Sequence, residues 1–73
     1  MAYVRCPNCA DTMQEFRELE GKAETAAAAL VLAPSLEGKP FVAKAYHRCA
    51  RAGCRRVQRK DHWSVGATLP EGL

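Results

Sequence analysis

Cys6, Cys9, Cys49 and Cys54 are the residues of this chain whose type and spacing can do chemistry. The first two lie in Arg5-Cys6-Pro7-Asn8-Cys9, where the two intervening residues form a knuckle, a tight turn that aims both sulfurs and nearby backbone N–H groups at one ion. Pro7 presets a backbone angle and Asn8 tolerates a turn conformation. The second two lie in Cys49-Ala50-Arg51-Ala52-Gly53-Cys54, a wider spacing within the range of structural zinc sites. Gly53 can supply the positive backbone angle that a wider knuckle needs. Four thiolates complete a zinc tetrahedron without help from any other residue and leave no position for water, so the expectation is one Zn2+ with a structural and not a catalytic role. Its binding free energy, on the order of 10 kcal/mol in small zinc domains, is then folding free energy. Four ordinary buried cysteines, or an iron site of rubredoxin type, would use the same residues. The knuckle sequence argues against the first, and the unequal spacings and basic surroundings against the second.

His47 and His62 are candidate replacement ligands. Alternation along an extended chain would point His47 to the same side as Cys49, where it supports the site without binding the ion.

Charge is divided unevenly. From Met1 to Ala43 there are four basic and six acidic side chains, a net of −2, whereas Lys44 to His62 carries a net of +6. Arginines beside the cysteines offset the negative charge of a tetrathiolate site, which accounts for part of this run. The surplus points to an anionic partner. The candidate partner-binding residues are Arg51, Arg55, Arg56, Arg59, Lys60, His62 and Trp63. His62 and Trp63 would supply a stacking or anchoring surface; the alternative for Trp63 is packing beneath the knuckle hairpin.

At 73 residues the chain is one domain, too small to be comfortably stable on apolar burial alone. Met1 to Cys9 holds no apolar run, and Ala26 to Ala33 is far too short to span a bilayer. The expectation is a chain in a reducing cytoplasm, where disulfides rarely persist. No Ser/His/Asp set or phosphate loop is visible, which argues against an enzyme and a small-molecule substrate.

The elements that must position the cysteines are less sharply written. Between the pairs lie 39 residues, too many for one tight hairpin. For Met13 to Leu19 both a helix, with Asp11 and Gln14 as a capping box, and a strand leaving the knuckle fit. Ala23 to Leu32 reads better as a helix stopped by Pro34, with a buried strand over Ala28 to Ala33 as the alternative. Leu19-Glu20-Gly21-Lys22 and Leu36-Glu37-Gly38-Lys39 repeat the same four residues, and both read as turns. Phe41 to Arg48 reads as a strand entering the second knuckle, and Arg56 to Val65 as its hairpin partner. The predicted fold is a small metal-stabilised α+β domain: a zinc-ribbon-like, two-knuckle unit over residues 1–65, with a short sheet, a helix in the insert, and a flexible tail over 66–73.

Cys6-Pro7-Asn8-Cys9 followed by Tyr46-His47-Arg48-Cys49 and a four-residue spacing to Cys54 resembles the Ogr/Delta family of small phage zinc-finger proteins, which activate late-gene transcription. The resemblance covers about a third of the chain. The segment between the pairs is longer here, and Arg55-Arg56-Val57 stands where the family has a small residue and an aromatic. The resemblance implies a single four-cysteine zinc, DNA binding and contact with host RNA polymerase. A similar ribbon occurs in topoisomerase C-terminal zinc modules. The alternative is a zinc-stabilised protein-interaction module that binds RNA polymerase or a larger assembly without touching nucleic acid.

Overall fold

The computed structural model describes residues 2–73 as a five-stranded antiparallel sheet with one helix. The strands are β1 (Ala2–Cys6), β2 (Thr12–Glu18), β3 (Tyr46–Cys49), β4 (Arg56–Arg59) and β5 (His62–Thr68), in sheet order β1-β2-β3-β4-β5. Helix α1 (Gly21–Leu36) occupies the connection from β2 to β3. It is too short, as the one α-helix among the described residues, to cross a membrane.

Each cysteine pair sits at a reversal between neighbouring strands. Cys6 ends β1, and Pro7–Cys9 form a 3-10 turn with Pro7 in its first turn. Ala10 (φ 55°) and Asp11 (φ 61°) are left-handed and turn the chain back so that Cys6 pairs with Thr12. The Thr12 hydroxyl fixes the reversal by donating to the Cys9 carbonyl at 2.6 Å. Asp11 is therefore a turn residue and caps no helix, and Met13–Glu18 is strand. That outcome follows from pairing on both edges: β2 is held by β1 over Thr12–Phe16 and by β3 over Phe16–Glu18. The second reversal, from Cys49 to Cys54, uses Gly53 at φ 82°, as its spacing predicts.

The helix extends past the expected limits at both ends. The two copies of the repeated tetrapeptide bracket it: Gly21 (φ 78°) opens it, and Glu37 (φ 52°) with Gly38 (φ 83°) ends it in the left-handed region that commonly terminates helices. Pro34 lies inside the last turn and does not stop it. The carbonyl deprived of a donor there belongs to Leu30, which is 77% exposed and open to water.

The strand entering the second knuckle is shorter than expected. Ala43–Ala45 form a 3-10 turn, and β3 begins at Tyr46. β4 and β5 form a hairpin around Lys60 and Asp61, with a bulge between Gln58 and Arg59. The predicted boundary at Gly66 falls inside β5, which continues to Thr68; beyond it Leu69 is buried and Leu73 packs against the core. Gly66–Thr68 are thus paired strand, and Leu69 and Leu73 anchor the residues after it on the core.

All four residues of β3 are buried because both faces of the sheet are covered. Tyr46 packs with Ala27, Ala28 and Leu32 of α1 and with Val57 and Leu69. Cys49 lies on the other face with Cys6, Cys9 and Phe16. The sheet curls until β1 meets β5. Asn8 Nδ2 donates to Thr68 Oγ1 at 2.8 Å, and Gln58 Nε2 donates to the Arg5 carbonyl at 2.9 Å.

Candidate metal centre

Closing the sheet brings the two reversals together at one end. The Sγ atoms of Cys6, Cys9, Cys49 and Cys54 all lie within 4.8 Å of one another. Cys6 and Cys54 are 3.7 Å apart, Cys9 and Cys54 3.6 Å, and Cys9 and Cys49 3.9 Å. Metal–sulfur bonds of about 2.3 Å in a regular tetrahedron place the sulfurs about 3.8 Å apart. Disulfides require about 2.0 Å, and all four cysteines are free. Cys6, Cys9 and Cys49 are buried and Cys54 is half-buried. The four sulfurs thus form a ready-made site that could hold one metal ion.

Both knuckles present backbone N–H groups to sulfur, as expected. The Asn8 amide donates toward Cys6 and the Arg51 amide toward Cys49, two residues on in each case. These donors favour the thiolate, but burial works against them. Desolvation pushes the Cys6 thiol well up, helped by the sulfurs of Cys9 and Cys54. Burial likewise pushes Cys49 up to about 11. Cys9 is lowered: desolvation raises it, but hydrogen bonds involving Cys6, Cys54, the Arg51 side chain and Cys49 outweigh that. A cation bound among the sulfurs would stabilise the thiolates together and release thiol protons.

Two arginines near the sulfurs are structural. Arg56 is buried, donating from Nε to Gln58 Oε1 at 3.0 Å and from Nη2 to the Trp63 carbonyl at 2.9 Å. Burial lowers its pKa, against the charges of Cys6 and Cys54. Arg48 is also buried. Its Nη1 donates to Glu24 Oε2 at 2.9 Å, and its Nη2 donates to the carbonyls of Cys54, at 3.3 Å, and Leu73. One side chain therefore ties the helix to the second knuckle. Glu24 is the hub: it also takes a two-pronged bond from Arg17, at 2.9 and 3.1 Å, and the Glu20 N–H at 3.1 Å. Desolvation opposes ionisation, but the two guanidiniums and this N–H hold its carboxyl down at about 2.

The candidate partner-binding residues separate into groups. Arg56, expected at the surface, is withdrawn into the sheet because β4 is an inner strand covered on both sides. Arg59 and Lys60 are exposed but paired, Arg59 Nε with Asp61 Oδ1 at 2.9 Å and Lys60 with Glu18. Arg51 is exposed at the second knuckle, and Arg55 is half-buried. His62 is exposed, with Nδ1 2.7 Å from the Ser64 hydroxyl. Trp63 is 42% exposed, and the Arg5 guanidinium stands 5.1 Å from its ring centroid.

Neither histidine joins the sulfur cluster. His47 is buried against Phe16, with ring centroids 4.5 Å apart, and Phe16 in turn packs with the cysteines. Its Nε2 has no partner among the described residues. Burial and Lys60 lower its pKa against the pull of Glu18, which favours a neutral ring. The sequence did not reveal Glu24 or Gln58. A glutamate in an Ala-rich helix and a glutamine in a basic strand look like solvated residues until the packing is known. Comparison with protein-family models, curated proteins and solved structures finds no match to this chain.

Proposed function

We propose that this chain is a zinc-stabilised regulator of transcription, of phage or bacterial origin, that binds DNA, RNA polymerase or both through the surface around its second knuckle. The sulfur quartet carries the first half of this reading. Four thiolates at tetrahedral spacing suit Zn2+, a d10 ion with no directional demand of its own. Residues Cys6, Cys9, Cys49 and Cys54 would hold it, and with every position filled its role is to join the two reversals. The fold then belongs with the zinc ribbons, and the two-knuckle pattern agrees with the resemblance to the Ogr/Delta proteins.

The partner-binding half rests on Trp63, half-exposed beneath the Arg5 guanidinium. An aromatic face with a cation above it, together with the exposed Arg51, offers stacking and phosphate contact on one small protein. Arg55 adjoins the knuckle, whereas Arg59, beside Tyr46, and Lys60, paired with Glu18, stand at the opposite end of β3 and β4. Arg59 and Lys60 contribute less than their charge suggests, because Asp61 and Glu18 already engage them. That same pairing favours the second reading, a protein-interaction module that clamps polymerase without touching nucleic acid.

Binding of the zinc-loaded protein to labelled DNA across a salt series distinguishes them. Phosphate contact makes affinity fall steeply with salt, and Arg51→Ala, shown by metal analysis to keep its ion because this side chain also bonds Cys9, should shallow that slope by about one contact. A polymerase clamp shows no such slope and captures polymerase from nuclease-treated lysate. Absence of both activities overturns the proposal.

A further inference from the structure

A helix lying on a sheet ordinarily turns polar residues to water. Helix α1 does not. Its inner side buries Ala27, Ala28 and Leu32, while Ala23, Ala26, Leu30 and Ala33 are exposed on the outside. Leu30 is 77% exposed, the highest value among the large apolar side chains. Beside it lies an apolar groove of about 460 Å³, lined by Gly21, Lys22, Thr25, Ala26, Ala29 and Phe41. Lys22 and Glu37 stand at the two ends of this outer face, with Glu20 and Lys39 just beyond them; all four are exposed, and none is in an ion pair among the described residues.

Lys22 and Glu37 are both misplaced for a lone helix. Lys22 stands in the first turn, beside the positive pole, and Glu37 stands at the C-cap, beside the negative pole. An antiparallel second helix reverses both relationships. Centred between Ala29 and Leu30, it sets Ala26 against Ala33 and Leu30 against Ala29, with Leu30 projecting as a knob toward the partner's groove. The same register brings Lys22 of each chain to Glu37 of the other, and each charge beside the pole that favours it. The small residues let the helix axes approach to about 8 Å.

We infer that the outer face of α1 is a two-fold, antiparallel dimerisation surface whose occupant is a second copy of this chain. The match between the ends of the face and themselves under reversal selects this occupant, because an isologous contact requires such self-complementarity. The outer face alone of a 16-residue helix falls short of the roughly 800 Å² per partner of a stable interface. The dimer is accordingly weak, with a dissociation constant on the order of 10 to 100 µM. Neither the metal's identity nor the partner of the basic segment enters this inference.

Sedimentation equilibrium of the metal-loaded protein from about 5 to about 500 µM tests it. The expected result is a monomer–dimer equilibrium that Leu30→Glu shifts by at least about tenfold, with helical content and metal content unchanged. Lys22→Glu and Glu37→Lys should each weaken the dimer by roughly threefold to tenfold, more at low salt. The double variant K22E/E37K should recover it, because the reversed pairs still meet. A monomer throughout, a dimer unmoved by Leu30→Glu, or a double reversal that does not restore association overturns the inference.

Discussion

Arg48 Nη1 and Glu24 Oε2 are 2.9 Å apart although 24 residues separate them in the chain. One guanidinium thus couples the helix to the knuckle, since its other nitrogen reaches the Cys54 carbonyl. The long insert is therefore packed into the same unit as the cysteine cluster and is not an appendage. Loss of either the metal or the helix contact should be felt at the other.

The metal prediction is the most direct. Reduced protein should carry about one zinc per chain, and Cys6→Ser should lose both the metal and cooperative unfolding. Chelation should remove the near-UV signal of packed aromatics. Elemental analysis and thermal melts check this, and a folded, metal-free native protein would contradict it.

Glu24→Gln should destabilise the zinc-loaded protein by about 3 kcal/mol, because two guanidiniums lose their counter-ion. The pH dependence has a definite sign. The folded-state pKa of about 2 is depressed from 4.5, so this contribution is complete above pH 4.5 and is lost as pH falls toward 2. Metal loss in acid acts on both proteins, so the quantity to measure is the difference between wild-type and variant stability. That difference should shrink as pH falls below 4.5.

Gly66→Ala should also destabilise, for a steric reason. A Cβ there would stand 2.5 Å from the Val57 carbonyl oxygen and 2.7 Å from Gln58 Cβ. Neither can move without disturbing the β4–β5 ladder, and the expected cost is about 1 to 3 kcal/mol. Arg56 Nη2 is also within 2.9 Å of that position, so the damage should reach the bond to the Trp63 carbonyl. Urea titration measures the loss, and faster amide exchange in β5 locates it.

Trp63 is the single tryptophan, so its fluorescence reports on one place. Half-exposed beside Arg5, it should emit as a partly solvated indole, and Arg5→Ala should shift that emission. If the proposed surface stacks nucleic-acid bases, single-stranded DNA should quench it, and Trp63→Ala should weaken binding by about 1 to 3 kcal/mol. An unchanged spectrum on addition of DNA, with polymerase captured instead, would favour the protein-interaction module.

The cysteine site was legible in the sequence because its information is local. A two-residue knuckle with Pro7, and a wider one with Gly53 at a positive angle, each dictate how their own sulfurs point. The helix was legible in its middle, where Ala and Leu dominate. Its ends and the strand character of Met13–Glu18 were not, because partners distant in the chain decide both. Phe16 faces Ala2 on one side and Cys49 on the other, and no local pattern announces that double pairing. The basic run shows the same limit most clearly. The sequence counts Arg48, Arg56, Arg59 and Lys60 as equal positive charges. Only the tertiary structure buries the first two and pairs the last two with Asp61 and Glu18. Charge is a property of the residue, whereas its availability to a partner depends on what the fold places within reach of it.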